Sequence, residues 1–102
     1  RFRSFESPVS ARVAVLIPAR NSSSYIGQVV RSIVRQRLRP EIVVIIDDYS
    51  NDNTFAEASR ALKTLGAKLK NISIAGGRVV KEVYVLNGIE FIIKRNLSHL
   101  GK

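Results

Sequence analysis

A chain of 102 residues, 45% hydrophobic and 25% charged, has the make-up of one modest globular unit, which excludes both a two-domain protein and a disordered one. Its 17 basic and 8 acidic residues leave a net charge of +9, a surface that favours anionic partners such as nucleotides, phosphates, nucleic acid or an acidic lipid leaflet without choosing among them. The absence of cysteine excludes disulfides, thiolate catalysis and cysteine–zinc sites, and a single histidine excludes a histidine-rich metal centre.

Residues Arg1–Ala11 lack periodicity, carry Ser4, Ser7, Pro8 and Ser10, and read as a leader or linker; residues 12–102 form one unit. With no methionine and Arg1 at its head, the chain reads as a processed or excised piece of something longer. Val13–Ile17 is a continuous aliphatic run closed by Pro18, the pattern of a strand buried on both faces. After the polar turn Asn21–Ser24, residues Ile26, Val29, Val30, Ile33 and Val34 recur at helical spacing, with Arg31 and Arg35 on the other face. Leu38–Pro40 should end that helix, since proline disfavours helical geometry in the residue before it. Neither Val13–Ile17 nor Ile42–Ile46, the longest apolar runs, approaches the ~20 apolar residues of a membrane-spanning helix.

Ile42–Ile46 repeats the buried-strand pattern and runs into Asp47–Asp48. A polar loop, Tyr49–Asn53, leads to a second helix, in which Thr54 and Glu57 have the spacing of a capping box. Phe55, Ala58, Leu62 and Leu65 supply its apolar stripe, and Gly66 is its stop. Two such strand–helix units require a parallel sheet with crossovers, so the fold class is α/β. Further on, Ile72–Ile74, Val79–Leu86 and Ile89–Ile93 read as strands separated by Gly76–Gly77 and Asn87–Gly88. Asn-Gly between apolar runs predicts an antiparallel hairpin over Val83–Ile93, its last strand joining the parallel sheet.

Two loops therefore leave the carboxyl ends of neighbouring strands: Pro18-Ala19-Arg20-Asn21 and Asp47 through Asp52. Ligands of open parallel sheets sit in the crevice beyond those ends. A carboxylate there is costly to bury unless hydrogen-bonded or paired, so Asp47 and Asp48 are candidates either for ligand binding or for capping the following loop or pairing with a nearby arginine. Adjacent side chains on a strand point to opposite faces, which makes this pair a poor metal chelate.

Val-Ala-Val-Leu-Ile-Pro-Ala-Arg-Asn, then a helix containing Tyr25-Ile26-Gly27 and closing near Gln36, then Ile-Val-Val-Ile-Ile-Asp-Asp-Tyr-Ser-Asn-Asp-Asn-Thr, resembles the opening of family 2 glycosyltransferases. The match covers Arg12 to about Arg60. The resemblance implies the N-terminal, nucleotide-sugar-binding part of a Rossmann-like (GT-A) domain, with a mostly parallel sheet, flanking helices and a C-terminal β-hairpin, and an incomplete domain. It implies an inverting transferase using a nucleotide-diphosphate sugar and an unknown acceptor. Pro18, Ala19, Arg20 and Asn21 would border base and ribose, Asp48 would accept a hydrogen bond from the base, and Asp47 would support the loop. Arg20 stands where many relatives have an aromatic residue, and Ser22 where the family usually has an acid.

Ile92 through Lys102 is similar to the family's third strand and the Asn-x-Gly-Lys-type loop after it, which would bring Gly101 and Lys102 to the diphosphate and leave His99 in place of an asparagine. The full-length enzyme would use a divalent metal, Mg or Mn, held by an Asp-x-Asp motif that this chain lacks, as it lacks the catalytic base. Relative to the family, residues 67–90 look like an inserted hairpin. A cytoplasmic setting, or the cytoplasmic face of a membrane, goes with this reading.

Two other readings compete. Arg31, Arg35, Arg37 and Arg39 cluster at the end of the first helix and would serve a non-catalytic module docking on nucleic acid or an anionic membrane. Sparse aromatic residues weaken the nucleic-acid case. A response-regulator-like domain also carries an acidic pair after a strand, but the Pro-Ala-Arg-Asn loop and the Ser-x-Asp-x-Thr continuation disfavour it.

Overall fold

In the computed structural model, which describes residues 14–37 and 40–97, the two aliphatic runs pair side by side. Strand β1 (Ala14–Ala19) lies parallel to β2 (Ile42–Asp48), from Ala14 opposite Ile42 to Ala19 opposite Asp47. Helix α1 (Ile26–Arg35) links them, and α2 (Thr54–Thr64) follows β2. The chain then forms β3 (Lys68–Ala75), β4 (Arg78–Leu86) and β5 (Ile89–Asn96), giving one sheet in the order β1-β2-β5-β4-β3. β5 runs parallel to β2, whereas β4 runs antiparallel to β5 and β3 antiparallel to β4. The sheet is thus mixed: parallel over β1, β2 and β5, and antiparallel over the excursion through residues 67–90 by which the chain returns to β2.

The turns follow from residue chemistry. Asn87 and Gly88 both have positive φ, 52° and 81°, the left-handed pair a two-residue connection between twisted strands needs. At the end of α2, Gly66 has φ 94°; its N–H donates to the Lys63 carbonyl and that of Ala67 to the Leu62 carbonyl, both at 3.0 Å. That double bond is the Schellman arrangement, and it satisfies two carbonyls the helix leaves open.

Both helices cover the same face of the sheet. Ile26, Val30 and Ile33 of α1 and Phe55, Ala58, Ala61 and Leu62 of α2 pack in one cluster with Val43, Ile45, Tyr84, Leu86, Ile89, Phe91 and Ile93. Burying a side chain the size of Phe91 contributes roughly 1.5–3 kcal/mol. Among the described residues no element covers the opposite face: Leu16 is 64% exposed, and Val44, Ile46 and Ile92 are only half-buried. The reading of Val13–Ile17 as buried on both faces is therefore corrected for β1, which is an edge strand with one sheltered face.

Other boundaries shift for local reasons. α1 stops at Arg35, with Gln36 already extended, because Arg35, Gln36 and Arg37 are all exposed and nothing apolar holds a further turn. β3 starts at Lys68, well before Ile72: it is an edge strand with mostly exposed residues, and two register shifts break its alternation. The capping box of Thr54 and Glu57 does not form; Asn53 occupies the N-cap position without a side-chain cap. The Thr54 hydroxyl serves the neighbouring loop instead, and Glu57 pairs with Arg60 at 2.7 Å. The leader Arg1–Ala11 lies outside the described residues.

Candidate functional site

Ala19 and Asp47 are register partners, so the segments after β1 and β2 emerge side by side at the carboxyl edge of the sheet. Four hydrogen bonds join them. The Asn21 N–H donates to Ser50 Oγ at 2.9 Å, and Asn51 N–H donates to Asn21 Oδ1 at 2.7 Å. The Ser22 N–H donates to Thr54 Oγ1 at 2.8 Å, and Ser23 N–H to Asp52 Oδ2 at 3.1 Å. Asn21 and Tyr49 both hold positive φ, 51° and 58°, a costly backbone state for residues with a Cβ and one that concentrates at functional loops.

The adjacent carboxylates have different surroundings. Asp47, 4% exposed, turns toward the helix side, where it accepts the Ser50 N–H at 3.2 Å and the Ser50 hydroxyl. Since that Ser50 oxygen also accepts from Asn21, Asp47 is tied to the first loop through one hydroxyl. Asp48 turns to the other face and is half-buried; Asn96 Nδ2 donates to its Oδ1 at 3.1 Å. No other hydrogen bond reaches the Asp48 side chain among the described residues, which leaves Oδ2 able to accept from a ligand. Asp52 is held below its ordinary value, first by the Thr54 hydroxyl and, against some desolvation, by the Ser23 N–H.

Of the remaining candidates, Pro18 and Arg20 are exposed at this edge, while Ala19 is buried and offers only backbone. Gly101 and Lys102, with His99, lie outside the described residues. So does Arg39, whereas Arg31, Arg35 and Arg37 are exposed at the end of α1. Ser22, where the resemblance led one to expect an acid, is 3% exposed, with its hydroxyl 3.1 Å from both the Arg20 carbonyl oxygen and the Tyr25 phenol. A carboxylate, acceptor-only when ionised, would there face a carbonyl oxygen with nothing to donate.

Sequence reasoning gave no role to Asn96 or Ser50, and gave Thr54 a helix-capping role in place of its bond to the Ser22 N–H. Asn96 reaches Asp48 only because β5 inserts beside β2, a pairing between residues far apart in the chain. Asp47 and Asp48 do not fit a divalent cation: they face opposite sides of the strand and are bound to Ser50 and Asn96 respectively. Among the described residues no group of three His, Cys, Asp or Glu side chains suits a metal.

Comparison with known proteins gives two findings. The family described as Glycosyl transferase family 2 matches residues 14–77. A 4,4'-diaponeurosporenoate glycosyltransferase of Staphylococcus haemolyticus (strain JCSC1435) is 33% identical over 96 residues, which is 94% of this chain and 22% of that protein. The chain thus spans about a fifth of the length of the curated relative it matches. No solved structure matches it.

Proposed function

Because this chain belongs to glycosyl transferase family 2, we propose that its two joined loops bind the nucleotide of a nucleotide-diphosphate sugar, the donor of a glycosyl transfer. The observation that carries this is the placement of Asp48: a half-buried carboxylate at the carboxyl edge of the sheet, oriented by Asn96 and beside the loop of Pro18–Asn21. An ionised carboxylate so fixed accepts a base N–H, as uracil and guanine present. The Arg20 guanidinium is suited to lie flat on the base or to pair with a phosphate. Pro18 and the Ala19 backbone border the ribose, and Asn21 keeps their loop in place. Gly101 and Lys102 belong to the same proposal as the segment that meets the diphosphate, glycine through close backbone approach and lysine as a point charge.

In the transfer itself an acceptor hydroxyl attacks the anomeric carbon and the nucleoside diphosphate departs, with inversion. The described residues contribute donor binding to that reaction. The general base, and any divalent cation that neutralises the leaving diphosphate, would come from elsewhere in the protein, and no step here is assigned to them.

Calorimetry with uridine and guanosine diphosphates tests the reading. One of the two should bind weakly, and Asp48→Ala should weaken it by roughly 10- to 100-fold, the equivalent of losing a hydrogen bond to a charged group. Binding that survives Asp48→Ala unchanged would remove Asp48 from the site.

A further inference from the structure

A second feature lies on the helix-covered side, away from Asp48. Between α2 and β4 runs a groove of about 330 Å³. Phe55 and Val79 give it an apolar floor, and Arg95, Arg60 and Lys63 line it against a single carboxylate, Glu82. Arg95 comes from β5, where it stands opposite Asp47, and its guanidinium carbon lies 4.1 Å from the centre of the Phe55 ring. Its Nε is buried and has no hydrogen-bond partner among the described residues.

The Nε–H is closed off from solvent against the Phe55 ring, and no hydrogen bond among the described residues holds the rest of this half-buried guanidinium. The nearby carboxylates are engaged: Asp47 by Ser50, and Glu82 by the Tyr84 phenol at 2.8 Å. Burial, and then the like charge of Arg78, weaken the hold of Arg95 on its proton, with Asp47 and Glu82 opposing. Arg60 is already paired with Glu57, so it can swing in as an outer charge but does not neutralise the inner one.

We infer that the α2–β4 groove is a binding site for a phosphate monoester, with the outer N–H groups of the Arg95 guanidinium as its fixed donors, the Phe55 ring holding the guanidinium plane, and Arg60 and Lys63 closing over the outer oxygens. Guanidinium on phosphate gives charge-assisted hydrogen bonds, and a plane set by stacking costs little further order on binding. The volume leaves room beyond the phosphate for the first carbons of an ester along Val79. Free phosphorylated metabolites and the headgroup of a phosphatidic acid present the same chemistry.

The test is nuclear magnetic resonance of the arginine side-chain N–H groups of the 102-residue chain, titrated with inorganic phosphate against chloride of equal ionic strength. The Arg95 Nε–H signal should shift and saturate with phosphate alone; a response matched by chloride overturns the site. Arg95→Lys, which keeps the charge and removes the donor fork, should abolish the saturable response, read on the Phe55 and Ser59 amides. Arg20→Ala, which removes the cation that the nucleotide loops would offer a phosphate, should leave the response intact, and its loss in that variant would move the anion to those loops and overturn the inference. Sedimentation with phosphatidylcholine vesicles, with and without phosphatidic acid, separates the sources. Binding that needs both the acid and Arg95 points to a headgroup, whereas a phosphate response without it points to a soluble ester.

Discussion

Tyr84 shows how much a single buried hydroxyl organises here. Its side chain is fully buried; its phenol donates to Glu82 at 2.8 Å and lies 2.7 Å from Ser59 Oγ, which is left to donate to it. Burial pushes its ionisation up to about 12, with the Ser59 hydroxyl opposing and Glu82 adding to the rise. A raised value means that the folded state prefers the protonated phenol. That contribution to stability is whole below the ordinary value of 10.0 and is lost as pH climbs from there through about 12. Tyr84→Phe keeps the ring but leaves Ser59 and Glu82 without their partner, and should cost about 1–3 kcal/mol. Urea denaturation should show a lower midpoint with an unchanged slope. Asp52 behaves in the opposite sense: its lowered value gives a contribution present above 3.8 that disappears as pH falls through the depressed folded value. The Ser23 and Thr54 amides, which it holds, should therefore lose protection from hydrogen exchange on that acid limb, and protection unchanged there would show that the carboxylate does not hold them.

At the scale of elements, α1 carries a removable weakness. Gly27 sits inside its first turn, and a methyl built there would meet the Arg31 Nη1 at 3.2 Å and the Ala61 Cβ at 3.8 Å. The tight contact is the far end of an exposed, flexible side chain, so Arg31 can move aside. Gly27→Ala should then stabilise the protein by about 0.5–1 kcal/mol through helix propensity, seen as a higher thermal midpoint. A lower midpoint would show that Arg31 is fixed where it is. The helices, and the strands on either side of α1, could be read from the chain because apolar spacing and a terminal glycine are local signals. Asp47 and Asp48 stood out for a similar reason, as charges closing an aliphatic run. Thr54 was misread because a helix-capping pattern and a hydroxyl that ties down a distant loop look alike until Ser22 is placed against it. Asn96 was missed because only the pairing of β5 with β2 sets it opposite Asp48.

For the molecule as a whole, the uncovered sheet face is the main departure from what its composition suggests. An aliphatic run suited to two sheltered faces has one, and Leu16 stands on the other at 64% exposure, among half-buried Val44, Ile46 and Ile92. Contiguous apolar surface of this kind promotes association in water. Leu16→Lys should raise the concentration at which the isolated chain stays monomeric in analytical ultracentrifugation, with little loss of fold, because the side chain it replaces makes few contacts. Equal self-association in the variant would show that this face is not the cause. The start of β3 was the least legible feature, since nothing local in Lys68–Asn71 marks an edge strand.

The position of β5 has one more consequence. This strand follows β1 to β4 in the chain, yet it lies inside the sheet, between β2 and β4. The ribosome therefore releases both outer parts of the structure before the piece that joins them, and the ladder stays divided until Asn96 has emerged. Such a topology rests its cohesion on late, long-distance encounters, the kind that make folding slow.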